Sequence, residues 1–228
     1  MTETRPDKSQ LILEALLRQV PFEGWTDRAL MAAVNGLDMT PGAEAVYAPG
    51  GALGLLQLWS SNLDTEMVEA LKARGLDNLR IRDKVTEAVW IRLNVLTGYE
   101  DAARRAVNRL ALPDAATQGA SQLWASADAI WTAIGDQSED YNYYTKRAIL
   151  SGVIGSSLLA WLGDETDDKI EARAFLERRI GNVMQFEKFK GQALGALEGL
   201  PPLPKPDELL GLFKKSPYRR RRPYQRRR

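Results

Sequence analysis

Neither cysteine nor histidine occurs among the 228 residues. Their absence removes thiol nucleophiles, histidine-dependent triads, most zinc sites and the Glu-x-x-His pairs of di-iron bundles. It also removes any disulfide framework. Catalysis by Asp, Glu, Lys, Ser or Tyr stays open, and no metal or cofactor is expected. Long apolar runs are missing as well. No stretch reaches the roughly 18 apolar residues that a membrane-crossing helix requires. The first ten residues, MTETRPDKSQ, mix both charge signs and contain no apolar core. They fit neither a signal peptide nor an acid-poor transit peptide, so a cytoplasmic location is the expectation.

Positive charge is missing from a particular place. Between Ala29 and Leu71 there is no Lys or Arg. The net charge of +1 hides a segregation. Nine Lys and Arg follow from Lys214 onward without a single acid, while residues 1–213 carry 22 bases against 30 acids, a balance of −8. The chain is an acidic body with a basic tail.

Apolar residues recur at helical spacing almost throughout, and no long alternating run appears, so the class is all-α. Helices are expected over 9–20 and 26–36, the second capped by Thr26. A short third is capped by Thr40 with Pro41 at its first position, and a long fourth follows Pro49-Gly50-Gly51. Further helices fit 78–97, 100–111, 115–134, 140–162 and 168–198, with boundaries at Gly98, Pro113, Gly135 and Gly163. Residues 1–48 then form a three-helix element of helix-turn-helix outline, and 49–200 a larger region for ligand binding and dimerisation. The PPLPKP segment, 201–206, reads as a stiff linker. A short amphipathic helix, 207–215, and a disordered basic tail, 216–228, complete the chain.

The order helix, helix, GLDMT turn, short helix, Tyr and long connecting helix resembles the N-terminus of TetR-type regulators. That resemblance makes a transcriptional regulator the alternative function. Charge speaks against it. Phosphate neutralisation supplies most non-specific DNA affinity, and bases are commonly read by Arg or Lys. The would-be recognition helix, TPGAEAVY, offers Glu44 and no base. No specific DNA binding is expected.

Residues 140–147 read DYNYYTKR, and Tyr141, Tyr143 and Tyr144 cannot all face one way on a helix. Gly152 and Gly155 follow on the same helix, flanked by Ser151, Ser156 and Ser157. Glycine inside a helix costs about 1 kcal/mol against alanine. A close approach by another helix or a ligand offsets that cost. Gly152, Gly155 and Ser156 are therefore candidates for a dimer interface or a lipid-tunnel wall, with tight packing inside the chain as the plainer alternative. In the TetR-type fold the last two long helices commonly pair with their symmetry mates, and 140–162 and 168–198 hold that position.

The segments GDQSEDYNYYTKRAIL, WLGDETDD and FLERRIGNVMQFEKFK closely resemble the Coq-nine family of coenzyme Q (ubiquinone) biosynthesis accessory proteins. LWASADAIWTAIGD and YAPGGALGLLQLW fit the same pattern. The likeness is tight over 122–190 and looser over 10–110, and Tyr143 stands where the family is expected to carry Trp. The resemblance implies a TetR-like, all-helical homodimer that binds an isoprenoid lipid or quinone precursor and catalyses nothing itself. It implies assistance to the demethoxyubiquinone hydroxylase, peripherally at the inner membrane. It also implies an exposed docking patch for that hydroxylase at Ile130, Trp131, Tyr143 and Tyr144, with Lys146 and Arg147 on its rim. Simple core packing of Trp131 and Tyr144 is the alternative.

In the C-terminal module, Leu209, Leu210, Leu212 and Phe213 supply apolar surface, and Lys214, Lys215, Arg219 and Arg220 begin a polybasic run. An apolar helix beside a basic segment suits an anionic membrane surface. A non-specific RNA-binding arm is the rival, since Arg-rich segments do that too, but RNA binding does not require the Leu-Phe helix. We expect removal of 207–228 to abolish most co-sedimentation with anionic vesicles while leaving the helical circular-dichroism signal of the body intact. Equal sedimentation of the shortened and full chains would assign the module another task.

Overall fold

The computed structural model describes residues 7–40, 42–76 and 78–183. The linker 201–206, the helix 207–215 with its membrane-binding set, and the tail 216–228 lie outside the described residues. The described secondary structure is helical throughout: α1 Lys8–Glu23, α2 Asp27–Asn35, α3 Ala43–Tyr47, α4 Gly51–Arg74, α5 Ile81–Asn94, α6 Glu100–Leu110, α7 Ala116–Ala133 and α8 Asp140–Gly163. A 3-10 turn, Asp167–Lys169, leads into a helix over 170–183, here α9. Among the described residues no helix is long and apolar enough to cross a membrane.

α4 is the spine. Ala52, Leu55, Leu56, Trp59, Leu63, Met67 and Leu71 are buried along it at three- and four-residue spacing, which places one apolar stripe against its neighbours. α2, α5 and α7 pack on that stripe. α1 buries Ile12, Leu13, Leu16 and Val20 against α2 and α6. α6 meets it with Ala102, Ala103 and Ala106, whose small side chains allow close approach. Trp25 plugs the junction, its indole donating to the Ala102 carbonyl at 3.0 Å and its ring lying 5.3 Å from that of Trp59. The N-terminal three helices and the rest of the body thus share one core.

Caps explain several boundaries. Thr26 Oγ1 accepts from the Ala29 N–H at 3.2 Å and starts α2, as its sequence position suggests. α3 differs from expectation. It begins at Ala43, with Gly42 at the cap in the left-handed region (φ 85°) and no side-chain cap. Thr40 contributes only its carbonyl, which accepts from the Ala43 N–H. The turn needed a residue without Cβ, and that need moved the start past the threonine. Pro41 lies outside the described residues.

The start of α4 is set from a distance. Asp27 on α2 accepts from the Ala52 N–H at 3.1 Å, satisfying one of the orphan donors there. A Cβ on Gly51 would stand 2.6 Å from that Asp27 oxygen, and one on Gly54 would stand 2.2 Å from the Pro49 carbonyl oxygen. At the far end of the fold, buried Asp164 builds the α8–α9 corner. One oxygen accepts from the Thr166 hydroxyl and N–H at 2.6 and 2.8 Å, and the other from the Ala172 N–H at 2.7 Å. The Thr166 hydroxyl above all, with these backbone donors, holds the carboxyl below its ordinary range.

Gly54→Ala must push a methyl into the Pro49 carbonyl, so the helix start has to shift. We expect a loss of about 1–3 kcal/mol, the usual range for overpacking, read as a lower thermal midpoint. The opposite result, a gain of stability as expected for Gly→Ala in an unhindered helix, would show that the α4 start yields freely.

Candidate functional site

α7 ends in a Schellman motif. The Asp136 N–H donates to the Trp131 carbonyl at 2.9 Å, the Gly135 N–H donates to that of Thr132 at 3.1 Å, and Gly135 has φ 83°. This turn brings Asp128 of α7 and the acidic loop after it against the Lys146–Arg147 pair of α8. Arg147 is the centre. Its side chain is only 4% exposed and pairs with Asp128 at 2.5 Å and with Asp136 at 3.5 Å. Asp136 is itself buried and also accepts from Lys146 Nζ at 2.7 Å and Ser138 Oγ at 2.8 Å. Tyr143 lies under the guanidinium, 3.4 Å from ring centre to Cζ, and its hydroxyl donates to Asp128 at 3.1 Å. Lys146 Nζ sits 5.1 Å from the Trp131 ring centre, and the Trp131 indole donates to the Lys146 carbonyl at 3.2 Å.

The expected docking patch therefore divides. Ile130 is wholly buried in the core, because it lies on the α7 face turned inward. Arg147 is buried by its two carboxylates. Both are corrected from surface residues to interior ones. Tyr143 is half-buried beneath Arg147, and Trp131 is half-buried beside Lys146. Tyr144 is outward, 63% exposed, with its ring 5.2 Å from Tyr143 and 6.2 Å from Trp124. Tyr141 is 72% exposed. The tyrosine run thus puts one ring into the charge cluster and two on the surface. Trp124, Asp128, Asp136 and Ser138 complete the site. The basic Lys-Arg pair facing an acidic loop was their faint sequence signal, but only folding sets Asp128 beside Arg147.

The glycines also divide. A Cβ on Gly155 would lie 3.3 Å from Leu123, so this glycine admits α7 inside the chain. Gly152 faces open space, with nothing within 4 Å of such a Cβ. Ser156 spends its hydroxyl on the Gly152 carbonyl at 2.8 Å. The outward line of α8 runs through Tyr144, Ala148, Gly152, Leu159 and Gly163, and α8 carries no charge from Ala148 to Gly163.

Behind the turn lies a cavity of about 90 Å³ between α4, α5, α6, α7 and α8. Its walls are mostly aliphatic, among them Leu56, Leu93, Leu110, Leu123 and Ile154. Four polar residues line it: Ser60, Arg92, Gln122 and Ser126. Arg92 is paired with Asp64 at 2.6 Å, and Ser126 donates to the same Asp64 oxygen at 2.7 Å. Gln122 Nε2 is buried with no protein partner among the described residues, a donor left for a ligand oxygen or water. Among the described residues, no three carboxylates converge as a metal site would need.

Residues 116–187, which include α7 and α8, match the family model COQ9. Over 190 residues the chain is 33% identical to ubiquinone biosynthesis protein COQ9-A, mitochondrial, of Xenopus laevis, a match covering 80% of this chain and 59% of that protein. It is 29% identical over 189 residues to the Homo sapiens ubiquinone biosynthesis protein COQ9, mitochondrial, with the same two shares. The chain thus spans less than two thirds of the length of these curated relatives. Among solved structures, a TetR transcriptional regulator from Nitrosomonas europaea superposes with a TM-score of 0.61 at 13% identity, over 76% of this chain and 96% of that one. The fold is TetR-like.

Two measurements follow from the charge cluster. Arg147→Ala removes the pair to Asp128 at 2.5 Å and the longer one to Asp136, which keeps Lys146 and Ser138. It is expected to cost about 1.5–3 kcal/mol, the range for hydrogen bonds to charged groups, a midpoint lower by roughly 5–10 °C in a body of this size. A loss under one kcal/mol would mean that water enters the cluster. Asp136 also sets a pH dependence. Burial pushes its pKa up, but the hydrogen bonds from Lys146 and Ser138 and the charges of Lys146 and Arg147 outweigh it, leaving the carboxyl below its ordinary value. Its stabilisation is complete above that value and is lost as pH falls through the lower folded one. Asp136→Asn should flatten the acid limb of the stability curve below pH 3.8; an unchanged limb would remove Asp136 from the acid transition.

Proposed function

The chain belongs to the COQ9 family, and from that premise we propose that it is a non-catalytic, lipid-binding accessory protein of ubiquinone biosynthesis. It binds an isoprenoid quinone precursor and presents it, at a membrane surface, to the demethoxyubiquinone hydroxylase. One observation carries the reading. The family match falls on α7 and α8, and these two helices build both the aromatic turn and one wall of the apolar cavity. A partner docked on the turn would therefore sit against the same helices that hold the lipid.

The cavity suits an amphiphile with a long apolar part and a small polar head. Its aliphatic walls would hold isoprene units, while Gln122 and the Arg92–Asp64–Ser126 group supply donors at one place. A cavity of about 150 Å³ accepts benzene, so this one must widen to admit a quinone ring. The open Gly152 face, uncharged along α8, supports a homodimer in which a second copy covers it.

For docking, the reading now rests on Tyr144, with Trp131 and Lys146 beside it, while Tyr143 and Arg147 hold the turn from below. Exposed aromatics rimmed by charge are the usual anchors of a protein interface. The rival reading, a DNA-binding regulator, has the TetR-like fold behind it. It lacks the charge, since α2, α3 and α4 up to Leu71 contain Arg28 as their sole base.

The experiment pairs Tyr144→Ala with co-purified lipid analysis. An interface anchor cut to alanine costs about 2 kcal/mol or more, near thirtyfold in affinity. We expect the variant to keep its thermal midpoint and its isoprenoid lipid, measured by mass spectrometry, and to lose the hydroxylase in pull-down. Retained hydroxylase binding would place the docking surface elsewhere. Absence of any isoprenoid lipid from the unaltered protein would defeat the lipid reading itself.

A further inference from the structure

We propose that the α4–α5 turn is a second membrane contact, built into the folded body, that meets an anionic lipid surface. α4 closes at Arg74 with Gly75 in the left-handed region (φ 64°), and α5 opens at Ile81. Residues 72–84 read KARGLDNLRIRDK: five bases against two acids, inside a body that is otherwise acidic. Leu79 and Ile81 stand at the tip, 40% and 54% exposed.

The bases are available. Arg74 pairs with Glu87 at 3.0 Å. The side chains of Lys72, Arg80, Arg82 and Lys84 make no ion pair or hydrogen bond among the described residues. They flank the tip on both sides. On one side, Arg74, Arg82 and Leu79 line a cleft of about 630 Å³. On the other, Lys72 and Lys84 overhang Leu71, Leu76 and Ile134 in a cleft of about 340 Å³.

Charge and shape choose the occupant. The chain's own C-terminal tail is positive from Lys214 onward and is repelled by this turn. A protein interface prefers aromatic anchors at its centre, and the tip has none. Two aliphatic side chains on a narrow turn can enter the boundary between headgroups and acyl chains while the flanking bases meet lipid phosphates. A Cβ on Gly181 would lie 3.6 Å from the Arg82 guanidinium, so α9 packs beside one flank of the turn and leaves the Leu79–Ile81 tip exposed. Stable peripheral anchoring takes two signals, and the turn provides one that does not depend on residues 207–228.

The absence of cysteine makes the test clean. Full-length Leu79→Cys and, separately, Ile81→Cys are labelled with an environment-sensitive fluorophore and mixed with vesicles of phosphatidylcholine alone or with phosphatidylserine added. Val46→Cys on α3 is the control, because Val46 is exposed and α3 lies by the other end of the 24-residue α4. We expect the labels at 79 and 81 to brighten and shift to the blue with anionic vesicles alone, while the control stays unchanged. In the unlabelled full chain, Arg80→Gln with Arg82→Gln should weaken vesicle affinity about twentyfold, since each base near such a surface is worth roughly fivefold. Sedimentation of the full chain with silent labels at 79 and 81 would leave the C-terminal module as the membrane contact and overturn the inference. So would labels that brighten without vesicles as protein concentration rises, which would mark self-association, or an affinity untouched by the double substitution.

Discussion

A guanidinium buried at the junction of two helices must be neutralised where it sits. Arg147 is that group, and much of the α7–α8 end follows from it. Two carboxylates have to approach, one from α7 itself and one from the loop beyond it. Asp128 is on the α7 face toward α8. Asp136 reaches the cluster because Gly135 reverses the chain there, and Lys146 and Ser138 then satisfy its remaining lone pairs. The aromatic ring of Tyr143 closes the underside. An unpaired charge in this position would cost several kcal/mol, so the members stand together.

That constraint also sorts the tyrosines. Tyr143 is held inward by the arginine, and consecutive residues on a helix are about 100° apart. Tyr144 therefore turns outward and rests on Trp124. The surface aromatic is a consequence of the buried charge.

The same economy of small residues appears along α8. Gly155 lets α7 in, and Gly152 leaves a flat uncharged face outside. With α7 drawn close at the turn and the α4 spine behind it, the space between the helices narrows to an aliphatic cavity with one polar corner. The fold is TetR-like, and its N-terminal three helices share a single core with the rest, pinned by Trp25. In that setting the N-terminal element is part of the packed body, and the cavity and the aromatic turn are built by the helices that follow.

The sequence by itself determined the class, most helix boundaries and the segregation of charge. Helical periodicity, Thr26 as a cap and the glycines at helix ends are local signals, and local physics suffices to read them. It also determined that the N-terminal element is poor in bases from Ala29 to Leu71, because charge is read directly along a chain. Which residues of the α7–α8 site face outward was decided only by the tertiary structure. The family resemblance puts Ile130 in the docking patch and Arg147 on its rim, yet both are interior. Their placement depends on Asp128 and Asp136, 19 and 11 positions from Arg147, and no local rule ties residues across that span. The open side of Gly152 and the closed side of Gly155 differ for the same reason. Two glycines three residues apart are chemically alike, and only the helix that packs beside one of them tells them apart.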